Sequence, residues 1–575
     1  MAERYVLAFD LGTSALKAAL VSFMGRVAAL ESVPVRLHLL PGGGAEQDPS
    51  EWWAALVAAA RRLLARGVAR PDQVAAICCT AQWSATVAVD RSGRPLMRAI
   101  SWMDTRGAPD VARLTGGPIS ISGYGVDKLW RWVRRTGGIP GRAGKDSLAH
   151  ILYIRRARPD VYAATHKFLE PKDYLNLRLT GEFASTYEAM TLHWVTDNRD
   201  PYRIRYDPDL LAAAGLDRSQ LPDLLPATAV LGRLRPAVAE ELGLRPDTHV
   251  VAGTPDIHAA AIGSGATRDL EPHLYVGTSA WISAHVPYLK TDLLHNMASI
   301  PAAILGRYLI ANEQEAAGAC LLHVRDLLTE PCPAASAGPD ATLPDARPGH
   351  PAGAAAERPA VADPGPLAGS GAASLPPVGA HPGPAQVPDG ALERLLALAA
   401  AVPPGSDGLL FTPWLYGERT PVEDPWVRGG FHNLSLRTTR GHLVRAVLEG
   451  VACNARWLLG AVESFARRRM EPLRIIGGGA RSPLWCQIFA DVLNRVVQQV
   501  DRPVEANVRG AGLLALVGLG ELGFGDIPDL VAVARTFEPD PAHRRTYDEL
   551  FAAFVAIYRR NRGLYARLNR RAAAP

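Results

Sequence analysis

The residues best suited to chemistry in this chain lie at the ends of apolar segments, beside short turns of glycine and hydroxyl residues. The first such turn, 12–14 (GTS), joins the two halves of the apolar segment 5–22, with Asp10 before it and Lys17 after it. Backbone N–H groups, hydroxyls and an ammonium that converge on one turn can bind a phosphate. A carboxylate at a strand end can hold Mg²⁺ directly or through water. For this turn taken alone we favour an ordinary surface hairpin, because short glycine motifs recur by chance.

Two further turns of the same character favour a nucleotide site over a chance hairpin. The segment 275–279 (YVGTS) repeats the Gly-Thr turn far downstream, and 475–479 (IIGGG) carries a glycine-rich turn after an apolar run. Three such turns in one chain predict a nucleotide cleft between two related halves.

A second carboxylate with catalytic potential is Asp256. It follows the apolar segment 250–255 and precedes a helix of small residues predicted at 258–265. Catalytic acids occur between a strand and a helix in this way, but an aspartate there can equally serve as the N-cap of the helix. Position alone leaves both interpretations open.

Polar and aromatic residues at other predicted strand ends are candidates for a ligand site. In an open α/β sheet, strand ends face the ligand crevice, and the candidates are Gln82, Trp83, Trp102 and Tyr124. An amide can bond sugar hydroxyls, and the neighbouring indole face can pack against sugar C–H groups. For each residue alone, core packing or a surface loop is the favoured interpretation.

Length and composition predict two globular α/β domains. The chain has 575 residues, of which 48% are hydrophobic and 21% charged, and this length exceeds what one hydrophobic core usually supports. Strands alternate with helices in both halves. We expect domains at 1–265 and 266–575. The segment 331–389, dominated by Pro, Ala and Gly, is expected to be a disordered surface insertion.

Several elements can be predicted individually. We expect a third strand within 26–36, a helix from about residue 48 capped by Asp48 or Ser50, and a continuation of the first sheet at 86–89. The segment 215–246 is expected to form loops, and 312–328 to form a helix.

Charge and cysteine content exclude several classes of protein. The net charge of +5 is spread over the whole length, whereas nucleic-acid binding calls for a clustered basic face. No cysteine pair has C-x-x-C spacing, so buried thiols in a reducing compartment are expected. No signal peptide or membrane-spanning run is recognisable. We therefore expect a cytoplasmic protein without nucleic-acid or membrane partners, and we leave a homodimer open.

Together these segments resemble the FGGY family of carbohydrate kinases, which belongs to the actin and hexokinase superfamily. The similarity runs nearly end to end, lapsing in the Pro/Ala-rich insertion. It is carried by FDLGTSALKAAL, AEQDPSEWW, SWMDTRG, KDYLNLRLTGE, VAGTPDIHAAAIGSG, YVGTS, YGERTPVEDPWVRGGF, HLVRAVLEGVACN and IIGGGARSPLWCQIFADVL, in that order.

The resemblance implies two ribonuclease-H-like domains, with ATP, Mg²⁺ and a sugar meeting in the cleft between them. It implies that Asp256 is the general base and that Asp10 lies near the magnesium. For ATP, it implies that Gly12, Thr13, Ser14 and Lys17 form the first phosphate loop, that Gly277 and Thr278 form the second, and that Gly318, Gly478 and Gly479 contact adenosine. For the sugar, it implies contacts from Gln82, Trp83 and Tyr124.

The sequence says less about the sugar that accepts the phosphoryl group than about ATP as its donor. Glycerol kinases of the family carry Arg-Glu after the glutamine, where this chain has Trp83-Ser84. The GERTP and GGGARSPLW stretches resemble the xylulose-kinase branch, so we expect a ketopentose such as xylulose or ribulose. Another polyol, a sugar alcohol or an aldonic acid stays open, as does a non-kinase ATPase or a sugar-sensing pseudokinase.

Overall fold

A computed structural model describes residues 3–329 and 390–572. The insertion predicted at 331–389 lies outside the described residues.

The N-terminal half alternates strands and helices, as predicted. Its strands are Tyr5–Leu11 (β1), Ala15–Ser22 (β2), Val27–Pro34 (β3), His38–Leu40 (β4), Gly44–Gln47 (β5), Val74–Ala81 (β6), Val87–Val89 (β7), Ala99–Ile100 (β8), Ser120–Ile121 (β9), Tyr124–Gly125 (β10), Lys167–Leu169 (β11), Ala184–Thr186 (β12), Thr196–Asp197 (β13), Arg205–Tyr206 (β14), Asp223–Leu225 (β15), Val230–Arg233 (β16) and His249–Pro255 (β17). Its helices are Pro49–Ala65 (α1), Ala108–Thr115 (α2), Val126–Thr136 (α3), Ser147–Ala157 (α4), Pro159–Ala164 (α5), Pro171–Thr180 (α6), Pro208–Ala214 (α7), Pro236–Leu242 (α8) and Asp256–Gly263 (α9).

The C-terminal half continues the alternation. Its strands are His273–Val276 (β18), Ala280–Ser283 (β19), His285–Val286 (β20), Thr291–Asp292 (β21), Met297–Pro301 (β22), Tyr308–Ala311 (β23), Leu410–Thr412 (β24), Gly430–His432 (β25), Leu473–Ile476 (β26), Val497–Val500 (β27) and Val533–Phe537 (β28). Its helices are Gly318–Thr329 (α10), Ala391–Ala400 (α11), Arg440–Ala466 (α12), Pro483–Leu493 (α13), Ala506–Gly518 (α14), Ile527–Leu530 (α15) and Arg544–Ala572 (α16).

The first large sheet is mixed, with the strand order β16-β17-β6-β1-β2-β3. Every residue of β1 is buried, which matches the continuous apolar run of a strand covered on both faces. Strands β1, β6 and β17 are parallel, while β2 returns antiparallel beside β1. The carboxyl ends of the three parallel strands therefore lie along one edge, which carries Asp10, Gln82 and Asp256.

The second large sheet repeats this plan, with the order β19-β18-β26-β27-β28. A hairpin again joins the first two strands, and β18, β26 and β27 are parallel. Its carboxyl edge carries the turn after β18 and the glycine turn after β26. The prediction of two related α/β halves is confirmed.

The two halves meet where helix α9 crosses helix α14. A Cβ atom built at Gly263 would overlap the carbonyl oxygen of Ala506, and one built at Gly510 would overlap that of Ala259. The backbones of the two helices can approach this closely only because glycine lacks a side chain. Helix α14 also packs against the first sheet, and one hydrophobic cluster contains residues of both halves, such as Val6, Val21 and Leu514.

The strand at 26–36 and the helix at 48 were predicted correctly, and the Asp48 side chain caps α1 by accepting from the Ser50 N–H. The prediction that 86–89 continues the first sheet is wrong. Strand β7 pairs with β11 in a separate sheet. Ser84 adopts φ +60, and this turn takes the chain away from β6.

Two longer predictions also need correction. The segment 215–246 is not all loop, because it contains the edge strand β16 and the short helix α8. Its prolines and glycines mark the ends of these elements: Pro236 begins α8 and Gly243 caps it. The helix predicted at 312–328 begins only at Gly318, because Gln314 pairs with Ala280 in a β-bridge.

The helix crossing makes a prediction about stability. Gly510→Ala should lower the melting temperature clearly, because the new methyl group has no room beside the Ala259 carbonyl, and overpacking of this kind typically costs about 1–3 kcal/mol. The control is Gly460→Ala in α12, where a Cβ meets nothing within 4 Å and alanine favours the helix. Thermal unfolding followed by circular dichroism tests the pair, and equal effects would contradict this account of the crossing.

Candidate active site

The turn between β1 and β2 brings a carboxylate and an ammonium together. Asp10 and Lys17 are direct partners in the antiparallel pair, and Lys17 Nζ lies 3.6 Å from Asp10 Oδ2. The Asp10 side chain is almost fully buried. Burial raises the pKa of Asp10, and the positive charge of Lys17 offsets part of that rise. This carboxylate is therefore short of compensating positive charge.

A chain of hydrogen bonds links the same turn to the neighbouring strand ends. The Thr13 hydroxyl donates to Gln82 Oε1 at 2.9 Å, and the Trp102 indole N–H donates to Thr13 Oγ1 at 2.9 Å. Gln82 in turn donates to Gln47 Oε1, and Gln47 donates to the Thr13 carbonyl at 2.9 Å. The Gln82 amide thus holds the turn in place. Gly12 is half-buried and Ser14 is exposed at the tip.

Asp256 is the first residue of α9, and the N-cap is Pro255. Its Oδ1 accepts the backbone N–H of Ile257 at 2.8 Å, so the carboxylate sits at the positive end of the helix. The pKa of Asp256 is nevertheless raised to about 7, first by burial and then by the negative charges of Asp10 and Glu313. A carboxyl group with this pKa can take up and release protons near neutral pH.

The glycine turn after β18 is held against the start of α10. The Gly318 N–H donates to the Gly277 carbonyl at 2.8 Å, and the Ala317 N–H donates to the Thr278 carbonyl at 2.8 Å. A Cβ atom at Gly318 would overlap the Gly277 carbonyl oxygen. Thr278 is exposed at the tip of the turn, where its hydroxyl is available to a ligand.

The glycine turn after β26 lies against the same strand end. A Cβ atom at Gly479 would overlap the Val276 side chain, whereas one at Gly478 would meet nothing within 4 Å. Gly478 is exposed, so an open surface faces outward beside the β18 turn. The structure thus brings Gly277, Gly318 and Gly479 together at one edge of the second sheet.

The residues expected to contact a sugar differ in how they are held. The Trp83 indole N–H donates to the Ala189 carbonyl at 3.0 Å, and the ring packs edge-on against His258 at 5.7 Å between centroids. Tyr124 lies apart from this pair, and its hydroxyl accepts the Arg142 backbone N–H at 3.3 Å. Burial and the negative charge of Glu423, from the other half, raise the pKa of Tyr124.

A cluster of charged side chains that the sequence did not reveal spans the two halves. Arg419 donates to Glu315 Oε1 from Nε at 3.0 Å and also pairs with Glu313. Lys145, from the N-terminal half, lies 3.7 Å from the same Glu315 oxygen. The four residues come from three distant segments, so no local spacing identifies them.

Tyr275 is a further residue of the cleft. Its ring stacks on Trp281 with centroids 3.8 Å apart. Burial and the charges of Asp10, Asp256 and Glu313 raise the pKa of its hydroxyl. The motif YVGTS marked the turn that follows, but gave no sign that this hydroxyl faces the carboxylates.

A magnesium ion fits Asp10 only together with a ligand that supplies further oxygens. Within residues 3–329 and 390–572, no three His, Cys, Asp or Glu side chains lie close enough to form a metal site. Mg²⁺ typically binds one or two carboxylates and completes its shell with water and phosphate oxygens. The buried, under-compensated carboxylate of Asp10 suits that arrangement.

In chemical terms, the two sheet edges bring Asp10, Asp256 and Tyr275 near one another. Glycine turns of a kind that can bind phosphate follow β1 and β18, and polar and aromatic side chains lie nearby. These groups suit the transfer of a phosphoryl group to a bound hydroxyl, which depends on positioning and charge stabilisation.

Comparison with protein families gives two matches. Residues 5–263 match the model described as the FGGY family of carbohydrate kinases, N-terminal domain, and residues 299–519 match the C-terminal domain of the same family.

Individual relatives are similar over nearly their whole length. A xylulose kinase from Staphylococcus epidermidis is 27% identical over 99% of this chain and 99% of its own. A gluconokinase from Bacillus licheniformis is 25% identical over 96% of each chain. The crystal structure of a xylulose kinase from Rhodospirillum rubrum, 28% identical, superposes with a TM-score of 0.75 over 98% of this chain and 100% of that one.

Among the described residues, no helix combines the length and apolar character needed to cross a membrane.

The raised pKa of Asp256 makes a prediction about stability. Between the unfolded pKa of 3.8 and the folded value of about 7, the folded protein holds a proton that the unfolded chain has lost. Ionisation therefore destabilises the fold increasingly as pH rises through this window, and the full penalty applies above pH 7. Asp256→Asn should raise the melting temperature by several degrees at pH 8.5, and by less at pH 5.

The matched control is Asp529→Asn, whose side chain is 82% exposed. It should change the melting temperature little at either pH. A fall in melting temperature for Asp256→Asn at pH 8.5 would show that the carboxylate is stabilising, and would contradict the assigned pKa.

Proposed function

Because the chain belongs to the FGGY family of carbohydrate kinases, and thus uses ATP as its phosphate donor, we propose that Asp256 is the general base of the transfer to a sugar hydroxyl. The observation that carries the proposal is the position of Asp256 at the sheet edge shared with Asp10, with a pKa of about 7. A group that must accept a proton at neutral pH needs a pKa of this size.

The proposed reaction begins with an acceptor hydroxyl oriented by the Asp256 carboxylate. As the hydroxyl oxygen forms its bond to the γ-phosphorus of ATP, the bond from that phosphorus to the bridging oxygen of ADP breaks. The hydroxyl proton passes to Asp256, and ADP leaves with the electron pair of the broken bond. The transition state is loose, so alignment of the hydroxyl with the leaving oxygen contributes more than proton removal alone.

The phosphate groups would be held from both sheets. We assign the first turn, with Gly12, Thr13, Ser14 and Lys17, to one side of the phosphates, and Gly277 and Thr278 to the other. Gly318, Gly478 and Gly479 are assigned to adenosine. The N-terminal domain, 1–265, would then bind sugar and phosphate, and the C-terminal domain, 266–575, would bind adenosine.

Asp10 is assigned to magnesium, directly or through water. The ion would offset the charge of the ATP phosphates. Lys17, 3.6 Å from Asp10, would add a second positive charge on the same side.

We propose a ketopentose such as xylulose or ribulose as the acceptor. The support is the relationship to xylulose kinases and the presence of Trp83, whose partly buried ring can pack against sugar C–H groups. Gln82 and Tyr124 are assigned to the hydroxyls. A second candidate, an aldonic acid, is favoured by the half-buried ammonium of Lys145 and by the gluconokinase relative.

The first test measures ADP release with ATP and Mg²⁺ across ketopentoses, polyols and aldonic acids. One acceptor should stimulate ADP release strongly, and Asp256→Asn should reduce that rate by about 10²–10⁴-fold while nucleotide binding, followed by calorimetry, changes little. Asp529→Asn serves as the control. Near-normal turnover by Asp256→Asn would overturn its assignment as the base, and ADP release indifferent to every acceptor would overturn the proposed reaction.

The pH dependence gives an independent test. Because the free enzyme must hold Asp256 ionised, kcat/KM for the acceptor should rise with pH, with a midpoint near 7, and fall about tenfold per pH unit well below it. Initial rates between pH 5.5 and 9, with ATP held saturating, measure the profile. A plateau extending below pH 5.5 would be incompatible with a base of pKa about 7.

A further inference from the structure

Glu188 is a buried carboxyl group to which the proposed reaction gives no role. The residue is 1% exposed and directly precedes the short 3-10 helix Ala189–His193. Its Oε1 accepts two hydroxyl groups, that of Thr186 at 2.6 Å and that of Thr254 at 2.8 Å. Both threonines are buried as well. The carboxyl group therefore joins two segments of the chain inside the core.

One of these two segments carries the proposed base. Thr186 ends β12, whereas Thr254 lies near the end of β17. Only Pro255 separates Thr254 from Asp256. Pro255 has φ −59, an angle that the proline ring locks. A shift of the backbone at Thr254 is therefore passed on to the carboxylate of Asp256.

The end of β17 needs this support because its pairing with β6 is irregular. The register shifts just before Thr254, where Gly253 has φ +73 and a Cβ atom would overlap the Cys79 carbonyl oxygen. A bulge of this kind bends its strand and re-aims the side chains beyond it. Pairing resumes only for Thr254 and Pro255, and proline has no N–H to donate. The bond from Thr254 to Glu188 adds an anchor where the strand pairing is short.

The segment that follows Glu188 also holds the ring of Trp83. The indole N–H of Trp83 donates to the Ala189 carbonyl at 3.0 Å, and Ala189 is the next residue after Glu188. Two adjacent residues thus contact the strand of the proposed base and the ring proposed to pack against the sugar.

We propose that Glu188 is a positioning residue of the kinase: through Thr254 it aims the carboxylate of Asp256 at the acceptor held beside Trp83. This inference rests on the proposed role of Asp256 as the base, and it adds the group that fixes the direction of that base.

A carboxyl group at this position has a cost that packing alone does not explain. Burial raises the pKa of Glu188, and the positive charge of Lys172 and the two hydroxyl donors offset part of that rise. Lys172 is itself buried and paired with Asp173. Apolar side chains fill buried space without such a desolvation cost. What they cannot reproduce is an oxygen that accepts hydroxyl groups from two strands at once.

The test compares Thr254→Val with its matched control, Thr186→Val. Each substitution removes one hydroxyl group from the same Glu188 oxygen, but only residue 254 is joined closely to Asp256. Kinetics are measured with the acceptor that best stimulates ADP release. Thr254→Val should lower kcat by about 10–100-fold, the loss expected of a misplaced catalytic group, while KM for the acceptor and for ATP changes by less than about twofold. Thr186→Val should lower the melting temperature as much as Thr254→Val does, yet leave kcat within about threefold.

Substitutions of Glu188 itself give the second comparison. Glu188→Gln keeps an oxygen that can accept from Thr254 and should retain kcat within about threefold, whereas Glu188→Ala should lose as much as Thr254→Val. In the double variant, kcat should fall no further than in Glu188→Ala alone, because both changes remove the same bond. If Glu188→Ala does not fold, the two threonine variants decide the question.

The possible failures are distinct. Wild-type kcat in Thr254→Val, or equal losses in Thr254→Val and Thr186→Val, overturns the positioning role, because the bond would then serve stability alone. Additive losses of kcat in the double variant overturn it as well. The proposed function fails separately: near-normal turnover by Asp256→Asn removes the base itself, whatever the threonine variants do.

Discussion

The contact between helices α9 and α14 sets the position of the two large sheets relative to each other. Each helix follows the last parallel strand of its half, and Gly263 and Gly510 let the two backbones touch. Since the helices begin at the carboxyl edges of their sheets, this crossing turns the two edges toward each other. The glycine turns after β1 and β18 and the carboxylate of Asp256 lie at these two edges.

Buried carboxyl groups are in excess over positive charges where the two sheet edges meet. The negative charges of Asp10 and Glu313 raise the pKa of Asp256, and burial raises the pKa of both aspartates. Lys17 offsets only part of this negative charge. A folded protein tolerates such a site at the expense of stability. At the other end of the site Lys145 pairs with Glu315 at 3.7 Å, and Glu315 and Glu313 pair with Arg419.

The positions of the glycine turns were predictable from sequence because their signals are local. A turn of glycine and hydroxyl residues after an apolar strand carries its geometry in adjacent residues, as 12–14 and 277–279 do. Asp256 was recognisable by its place between strand and helix. Lys145, Glu315 and Arg419 could not be found in this way, because a network across two halves exists only after folding. The error at 86–89 has the same origin: β-propensity indicated a strand, but strand pairing is decided by tertiary structure.

Residues at strand ends and residues on connecting segments differ in how easily they can be substituted, and this difference bears on how the choice of acceptor can evolve. The turns that we propose to bind phosphate lie at the ends of buried parallel strands, where a change in backbone position would disturb the sheet. The groups around Lys145 lie on connecting segments, held by side-chain hydrogen bonds from Ser84 and Trp194. Loops on a rigid scaffold tolerate substitution, so the acceptor end can change its charge while the phosphoryl chemistry stays constant. A xylulose kinase and a gluconokinase of comparable identity to this chain are what such a division would produce.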